Sequence, residues 1–157
     1  MPDMLVNLML LPPRDALLEE LRAEGFVVRR AQPWELTPVR EFVTENFKRS
    51  WADEISGGLA RQPATVFVAL RDGKLVGFAA YECTRKNFFG PTGVAESERG
   101  RGLGRALLVA SLWGLREMGY AYAVIGGVGP AEFYERAVGA RMIPDSPHGV
   151  YADPLRE

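Results

Sequence analysis

The stretch that decides the fold spans residues 94–105 and reads Val94-Ala95-Glu96-Ser97-Glu98-Arg99-Gly100-Arg101-Gly102-Leu103-Gly104-Arg105. It joins a predicted strand, Asn87 to Val94, to a predicted helix, Gly102 to Met118. Its three glycines allow a tight turn and a close approach of the backbone to a ligand. The amides at a helix N-terminus have no partner within the helix and therefore bind anions. The stretch thus predicts an anion-binding loop at the start of a helix.

Three arginines in this loop narrow the prediction to phosphate. Arg99, Arg101 and Arg105 place positive charge beside a helix N-terminus, where the helix macrodipole is itself positive. A bound anion offsets that local cost, and pyrophosphate is the natural candidate. The alternative is a solvated glycine-rich turn, because such turns are common in proteins.

Two other phosphate-binding motifs are absent from the sequence. The dinucleotide-binding fingerprint requires glycines at its first, third and sixth positions. Counted from Gly100 the sixth position is Arg105, and counted from Gly102 it is Leu107. The P-loop requires Gly-Lys followed by Ser or Thr, and the pair at residues 73–74 is followed by leucine. A nucleotide-binding regulator is therefore the last of the candidate functions.

The sequence on either side of this loop predicts a mixed sheet. Val94 to Tyr120 forms a strand–helix–strand unit, which gives two parallel strands with a right-handed crossover. Thr65 to Leu70 and Leu75 to Cys83 are rich in strand-forming residues and flank the turn pair Asp72-Gly73. They therefore predict an antiparallel hairpin. Pro91 has no amide donor, so we expect it at a sheet edge or a bulge.

The two ends of the chain are harder to assign to regular elements. Met4 to Leu11 predicts a strand or an extended arm, and Asp15 to Glu24 predicts a short helix. Residues 1–25 are therefore predicted to form an N-terminal arm and short helix, and residues 26–157 to form the main domain. A last strand is expected around Gly149 to Ala152.

The composition is that of a globular protein. Of 157 residues 47% are hydrophobic and 25% charged, with a net charge of −1, which excludes a disordered chain and disfavours a basic nucleic-acid-binding domain. The single cysteine, Cys83, cannot form an intrachain disulfide, and one histidine adds too few ligands for a usual zinc site. No membrane-spanning or signal-peptide pattern is visible, so we expect a cytoplasmic protein without metal, nucleic-acid or membrane partners.

The loop also resembles a known family signature. Arg99-Gly100-Arg101-Gly102-Leu103-Gly104 resembles the Arg/Gln-x-x-Gly-x-Gly/Ala signature of the GNAT superfamily of N-acetyltransferases. Val94 stands where that family has its last strand valine, and Glu132-Phe133-Tyr134-Glu135-Arg136 is similar to a run in the family's tyrosine-bearing helix. The resemblance covers roughly residues 26–145 and leaves residues 1–25 outside it.

The resemblance implies a fold and a domain assignment. The fold class is α/β (an α+β mixed sheet), mostly antiparallel, with helices on both faces and one parallel strand–helix–strand unit splayed to admit the cofactor. Residues 26–157 are then the acyl-CoA N-acyltransferase domain. Family members often dimerise, so the resemblance also allows a homodimer.

The resemblance further implies acetyl-CoA as acyl donor and assigns residues to it. Backbone amides of the loop would hold the pyrophosphate, and backbone groups near Val94 would face the thioester. The implied cofactor-binding residues are Gly93, Val94, Arg99, Gly100, Arg101, Gly102, Leu103, Gly104 and Arg105. Tyr134 is implied to be the general acid that protonates the departing thiolate, since a phenol donates one proton. Without the resemblance, a buried core tyrosine would be the favoured interpretation of Tyr134.

The acceptor side is less defined by the sequence. Some family members use a strand glutamate six residues before the valine, and that position is Phe88 here. Glu82 is a candidate general base, and a chain of water molecules is the alternative. Trp51 is a candidate substrate residue because the corresponding region of the family lines the acceptor site, although a core tryptophan fits it equally. The family often has an asparagine where this chain has Gly127.

The predicted function is therefore an acetyl-CoA-dependent N-acetyltransferase. The acceptor amine, on a small molecule or a protein, would attack the thioester directly within a ternary complex. The alternative is a non-catalytic acetyl-CoA-binding or interaction module with the same fold. The identity of the amine does not follow from the sequence.

Overall fold

The structure is a computed structural model, and it describes residues 1–156. Its strands are β1 Met4–Asn7, β2 Phe26–Arg30, β3 Val66–Arg71, β4 Lys74–Tyr81, β5 Phe88–Val94, β6 Tyr122–Ile125 and β7 Arg141–Met142. Its helices are α1 Arg14–Ala23, α2 Leu36–Asn46, α3 Arg49–Leu59, α4 Leu103–Glu117 and α5 Ala131–Val138.

The strands form one seven-stranded sheet in the order β2-β3-β4-β5-β6-β1-β7. Within the described residues, neighbouring strands are antiparallel except for β5 and β6, which are parallel and joined by the crossover helix α4. The turn Asp72-Gly73 connects β3 to β4, with positive φ angles of 50° and 75° that suit a tight hairpin. The predicted fold class, a mostly antiparallel mixed sheet with one parallel unit, is confirmed.

Two apolar layers lie on opposite faces of this sheet. Because side chains alternate along a strand, Val66 and Val68 of β3 enter the layer under α2 and α3, while Phe67 and Ala69 enter the layer under α4. Ten of the 15 residues of α4 are buried, as expected for a helix that is apolar around most of its circumference. This burial holds the N-terminus of α4 at a defined place above the end of β5.

Strands β5 and β6 diverge soon after they meet. Their parallel pairing is confined to Phe88 with Val124 and Phe89 with Ile125. Beyond this point the register between β4 and β5 shifts as well, so that two residues of β5, Gly90 and Pro91, oppose one residue of β4. Pro91 therefore lies at a bulge, where its missing amide leaves no ladder position unfilled. The divergence opens the sheet beside the start of α4.

Residues 1–25 lie in the sheet and against it. β1 is hydrogen-bonded between β6 and β7, and the side chains of Met4, Val6 and Leu8 are fully buried. Helix α1 packs beside β2 and α4. An arm outside the main domain was expected, but alternating apolar residues in β1 bury one face in the core, which the short sequence pattern does not reveal.

The last part of the chain is irregular except for β7. The strand expected around Gly149 to Ala152 does not form, and these residues contain the end of a turn followed by irregular backbone instead. The final strand is the two-residue β7, which pairs with β1. Within residues 1–156, no helix is long and apolar enough to cross a membrane.

Candidate functional site

The N-terminus of α4 presents unpartnered backbone amides. Gly102 forms the N-cap with a φ of +84°, and Gly100 has a φ of +83°, a region that side-chain-bearing residues rarely occupy. No side chain caps the helix, and its first turn has no acidic residue. The first amides of a helix lack intrahelical acceptors, so those from Leu103 to Arg105 are available to an anion.

A cavity of about 560 Å³ lies against this helix terminus, and we call it the α4 cavity. It occupies the space left where β5 departs from β6, between the start of α4 and α5. It is lined by Phe89, Thr92, Gly93, Val94, Glu98, Arg99, Gly100, Gly102, Leu103, Gly104, Arg105, Leu108, Pro130, Phe133 and Tyr134. A Cβ on Gly104 would lie 3.9 Å from both Phe133 Cζ and Val94 Cγ2, so a side chain there would extend into this space. The site therefore fits a ligand with a phosphate group and an extended arm.

The three loop arginines have different surroundings. Arg99 lines the α4 cavity, and its Nε donates to the Val94 carbonyl over 3.1 Å. Arg105 lines the cavity as well. Arg101, also predicted to bind the cofactor, is not among the lining residues, and its Nε lies 3.1 Å from Glu98 Oε2. Its guanidinium also lies 6.0 Å from the ring centroid of Phe26. The structure therefore brings two of the three arginine side chains to the cavity.

Tyr134 lies at the inner end of the α4 cavity. It is 7% exposed, and Val138, one helical turn later, is buried on the same face of α5. Its ring centroid is 5.1 Å from that of Phe133 and 6.4 Å from that of Phe89. Burial raises the pKa of Tyr134, so the phenol is protonated at neutral pH. A protonated phenol beside the cavity can donate a proton or a hydrogen bond to a group bound there.

Gly93 and Val94 also reach the cavity, and Gly93 is required sterically. A Cβ on Gly93 would overlap the ring of Phe47, which packs against this strand from the opposite face of the sheet. The absence of a side chain thus lets Phe47 seat against β5. Gly93 therefore has a packing role against the residue that follows α2, besides its place in the cavity lining.

Glu82, the predicted candidate base, lines neither this cavity nor the second one described below. Its side chain is 7% exposed and lies beneath the turn between β4 and β5. Its Oε2 accepts from the amide of Asn87 over 2.6 Å, and its Oε1 accepts from the hydroxyl of Tyr120 over 3.1 Å. Arg61 Nη1 is 3.8 Å from Oε1. These contacts give Glu82 a structural place in the turn, and the structure does not bring it to the site.

A second cavity, of about 550 Å³, opens beside α3, and we call it the α3 cavity. It is lined by Met1, Lys48, Ser50, Trp51, Glu54, Thr84, Phe89, Gly90, Pro91, Gly126, Gly127, His148 and Tyr151. Phe89, on β5, lines both cavities. The two spaces therefore border the same strand position, where β5 leaves β6. Trp51, the predicted substrate residue, lies in the wall of the α3 cavity.

Glu54 is the carboxylate of the α3 cavity that sequence reasoning missed. It follows Trp51 by three residues on α3, so both side chains lie on one face of the helix. The hydroxyl of Thr84 donates to Glu54 Oε1. The i, i+3 spacing was visible in the sequence, but which face of α3 borders a cavity depends on how α3 packs on the sheet.

Both chain ends help to wall the α3 cavity. The Asp3 carboxylate accepts from the Gly127 amide over 2.9 Å. The N-terminal ammonium of Met1 donates to the Pro147 carbonyl over 2.9 Å. Gly127 stands where the family often has an asparagine, and the structure uses its amide to attach the N-terminal segment. These contacts place His148 and Tyr151 at the cavity, which no local pattern predicts.

Comparison with protein-family models gives a match over 76 of the 157 residues. Residues 62–137 match the acetyltransferase (GNAT) domain model. No curated protein sequence matches this chain significantly.

Solved structures share the fold at low sequence identity. A GCN5-related glucosamine N-acetyltransferase region of a fungal multi-domain GH3 β-N-acetylglucosaminidase is 19% identical, with a TM-score of 0.73 over 90% of this chain. A GCN5-related N-acetyltransferase from Sphaerobacter thermophilus is 22% identical, with a TM-score of 0.69 over 90% of this chain. This chain covers 19% of the fungal protein and 48% of the Sphaerobacter one.

A third similar structure contains a ligand. A GNAT family acetyltransferase from Brucella melitensis, solved in complex with acetyl-CoA, is 22% identical to this chain, with a TM-score of 0.58. The match covers 79% of this chain and 92% of that one. At this identity the likeness shows a shared fold.

Proposed function

We propose that the protein is an acetyl-CoA-dependent N-acetyltransferase, supported by the match of residues 62–137 to the acetyltransferase (GNAT) domain model. The observation that carries this proposal is the pair of cavities that both border Phe89. One ends at a helix N-terminus suited to phosphate, and the other is lined by ionisable side chains. This arrangement suits a reaction in which donor and acceptor are bound at once and the amine attacks directly.

The donor would lie in the α4 cavity. Acetyl-CoA supplies an acetyl group on a thioester, together with a pyrophosphate that needs an anion site. The amides from Leu103 to Arg105 would hold the pyrophosphate, and the side chains of Arg99 and Arg105 would add positive charge. The Brucella relative, whose structure contains acetyl-CoA, supports this choice of donor.

Tyr134 would act on the leaving group. In the transfer, the amine nitrogen forms a bond to the acetyl carbon, and the bond from that carbon to sulfur breaks. The electron pair leaves with sulfur, and the Tyr134 phenol supplies the proton that sulfur takes up. The attacking nitrogen gives up one proton to solvent, and the Tyr134 phenolate takes one back from solvent. Because burial raises the pKa of Tyr134, the phenol stays protonated at neutral pH before the thiolate leaves. Backbone groups near Gly93 and Val94 would face the developing negative charge on the carbonyl oxygen.

A non-catalytic acetyl-CoA-binding module is the second candidate. It is favoured by one observation, the place of Glu82 beneath a turn and away from both cavities. It gives no reason for a protonated phenol at the inner end of the α4 cavity. Acetyl transfer to any primary amine would exclude it.

Calorimetric titration of the purified protein with acetyl-CoA, with NAD as control ligand, tests the donor. We expect acetyl-CoA to bind and NAD not to bind, because the loop lacks the dinucleotide fingerprint. A well-folded protein that binds neither ligand would contradict the proposed function.

Replacing Tyr134 by phenylalanine tests the chemistry. Tyr134→Phe keeps the ring and removes the proton donor, so we expect kcat for acetyl transfer to fall by about 100-fold or more. The acetyl-CoA dissociation constant should change less than about twofold. Tyr122→Phe is the matched control, since Tyr122 is 52% exposed on β6 and outside the cavities. An unchanged kcat in Tyr134→Phe would remove the assigned role.

A further inference from the structure

Two opposite charges face the α3 cavity without being paired to each other. Lys48 precedes α3, and its Nζ lies 5.2 Å from the ring centroid of Trp51. Glu54 lines the same cavity and takes one side-chain hydrogen bond, from Thr84. Across residues 1–156, no ion pair within 4.0 Å joins Lys48 to Glu54, and no hydrogen bond or ion pair engages the Lys48 ammonium. Both charges are therefore available to a ligand.

The two charges lie at different places along the cavity wall. Lys48 directly precedes α3 and Glu54 is its sixth residue, so their side chains start from different turns of the chain and both line the cavity. A small molecule with a positive charge at one end and a negative charge at the other can contact both.

The charged side chains at the cavity argue against a simple cationic amine. Among the described lining residues, Lys48 is the only lysine or arginine and Glu54 is the only carboxylate. A site for a plain cation would carry more negative than positive charge, because like charges repel in a partly desolvated space. The balance of one ammonium and one carboxylate suits a ligand that brings its own anion.

The remaining wall is apolar or lacks side chains. The Trp51 indole and the Phe89 ring offer flat apolar surface, and Gly126 and Gly127 leave room between them. Aromatic walls of this kind bind an apolar body, while a few charged groups fix its orientation. The volume of about 550 Å³ accommodates an amino acid with a large side chain.

We propose that the acceptor is a small zwitterionic amine of amino-acid type, with its ammonium at Glu54 and its carboxylate at Lys48. This inference rests on the proposed function, because it names the acceptor for the same transfer. It places the amine in the α3 cavity, which shares the lining residue Phe89 with the α4 cavity. The fungal relative is named for glucosamine, an amine without an anionic group, so the proposal separates this chain from it.

Three probes that share one phenylethyl body test the proposal. They are L-phenylalanine, which carries both charges, 2-phenylethylamine, which carries the positive charge, and 3-phenylpropionate, which carries the negative charge. Their dissociation constants are measured by NMR titration, with and without saturating coenzyme A. We expect L-phenylalanine to bind about tenfold more tightly than either singly charged probe, since each ion-pair contact contributes separately.

Two substitutions assign the contacts. Glu54→Gln should remove the advantage of L-phenylalanine over 3-phenylpropionate, and it keeps an acceptor for the Thr84 hydroxyl. Lys48→Met should remove the tighter binding of L-phenylalanine relative to 2-phenylethylamine. Asp53→Asn and Arg49→Met are matched controls, because both residues are exposed neighbours on α3 that do not line the cavity. Both controls should keep the wild-type preferences.

The possible outcomes distinguish failure of the zwitterionic acceptor from failure of the proposed acetyltransferase function. Equal binding of the three probes to wild type would overturn the zwitterion assignment, as would a full preference retained in Glu54→Gln and Lys48→Met. Loss of preference in the two control variants as well would also overturn it. Absence of coenzyme A binding would contradict the proposed function, whereas the probe preferences of the free protein would still decide the acceptor class. Melting temperatures within a few degrees of wild type confirm that each variant is folded.

Discussion

At the scale of single residues, Gly114 determines how closely α4 approaches the sheet. A Cβ at this position would lie 2.5 Å from Cζ and Oη of Tyr81 on β4. Tyr81 is 2% exposed, and its hydroxyl accepts a hydrogen bond from Arg30. The ring therefore has no free space to move into. The missing side chain of Gly114 lets α4 seat on β4, and that seating sets the position of the loop at its N-terminus.

Replacing Gly114 by alanine tests this contact. Gly114→Ala should lower the free energy of unfolding by about 1–3 kcal/mol, because overpacking outweighs the better helix propensity of alanine. Gly57→Ala on α3 is the control, since no atom lies within 4 Å of a Cβ there. It should be neutral or raise stability by about 0.5–1 kcal/mol. Urea denaturation measures both, and equal effects would show that the Tyr81 contact is not limiting.

At the scale of elements, the proposed anion site at the start of α4 lies next to an arginine, Arg101, that a salt bridge to Glu98 holds in place. Glu98 lies in the turn before the helix and contacts Arg71 at 3.2 Å and Arg101 at 3.1 Å. This pair of contacts holds Arg101 against the outside of the loop. Arg105, two residues into the helix from Leu103, instead lines the α4 cavity. The two arginines look equivalent in sequence, and the turn makes them different.

Comparing the two arginines gives a prediction about donor binding. Arg105→Ala should weaken acetyl-CoA binding by about 3–10-fold, because it removes a charge from the proposed pyrophosphate site. Arg101→Ala should change the dissociation constant less than about twofold, since Arg101 is paired with Glu98 and does not line the cavity. Calorimetry at low and high salt checks this, and the Arg105 effect should shrink with salt. A larger loss of acetyl-CoA affinity in Arg101→Ala than in Arg105→Ala would show that the phosphates do not bind on the Arg105 side of the loop.

At the scale of the whole molecule, the N-terminal strand completes the sheet. β1 pairs with β6 over four residues and separates it from β7. Successive side chains of β1 point to opposite faces of the sheet, so Met4 and Val6 are buried and Leu5, on the other face, is 41% exposed. The same segment then reaches the α3 cavity through Met1 and Asp3. Folding of the sheet and formation of the cavity wall therefore depend on the same first residues.

Two neighbouring substitutions in β1 test this dependence. Met4→Ala should lower the free energy of unfolding by about 2–5 kcal/mol, because it leaves a hole in the core. Leu5→Ala should change it by less than about 0.5 kcal/mol, since Leu5 is partly exposed. Urea denaturation of both variants provides the measurement. Small and equal effects would support an N-terminal arm that contributes little to the folded domain.

Some features of the fold could be predicted because their signals are local. The crossover between β5 and β6 followed from a strand, a buried helix and a strand in sequence, and the structure has that parallel pair. The hairpin followed from Asp72-Gly73 between two apolar runs. In both cases residues close in sequence satisfy each other's hydrogen bonds or turn geometry, so the pattern alone is sufficient.

The same distinction between local signals and long-range contacts applies to the residues of the candidate site. Tyr134 and the glycines of the loop line one cavity, where local backbone geometry and a helical face place them. Glu82 was chosen for its residue type and its place near the end of a strand, but Asn87, Tyr120 and Arg61 hold its carboxylate beneath a turn. Competition among distant partners for one side chain leaves no trace in a short sequence pattern.

The sequence by itself determined the fold class and the glycine-rich turn before α4, because glycine conformations, helix termini and strand alternation are properties of short segments. Tertiary structure alone decided that β1 lies between β6 and β7, and that Lys48, Glu54 and Tyr151 share a cavity. The physical reason is that these placements depend on contacts between segments far apart in the chain. Their energies appear only when the sheet has formed and both ends of the chain meet beside it.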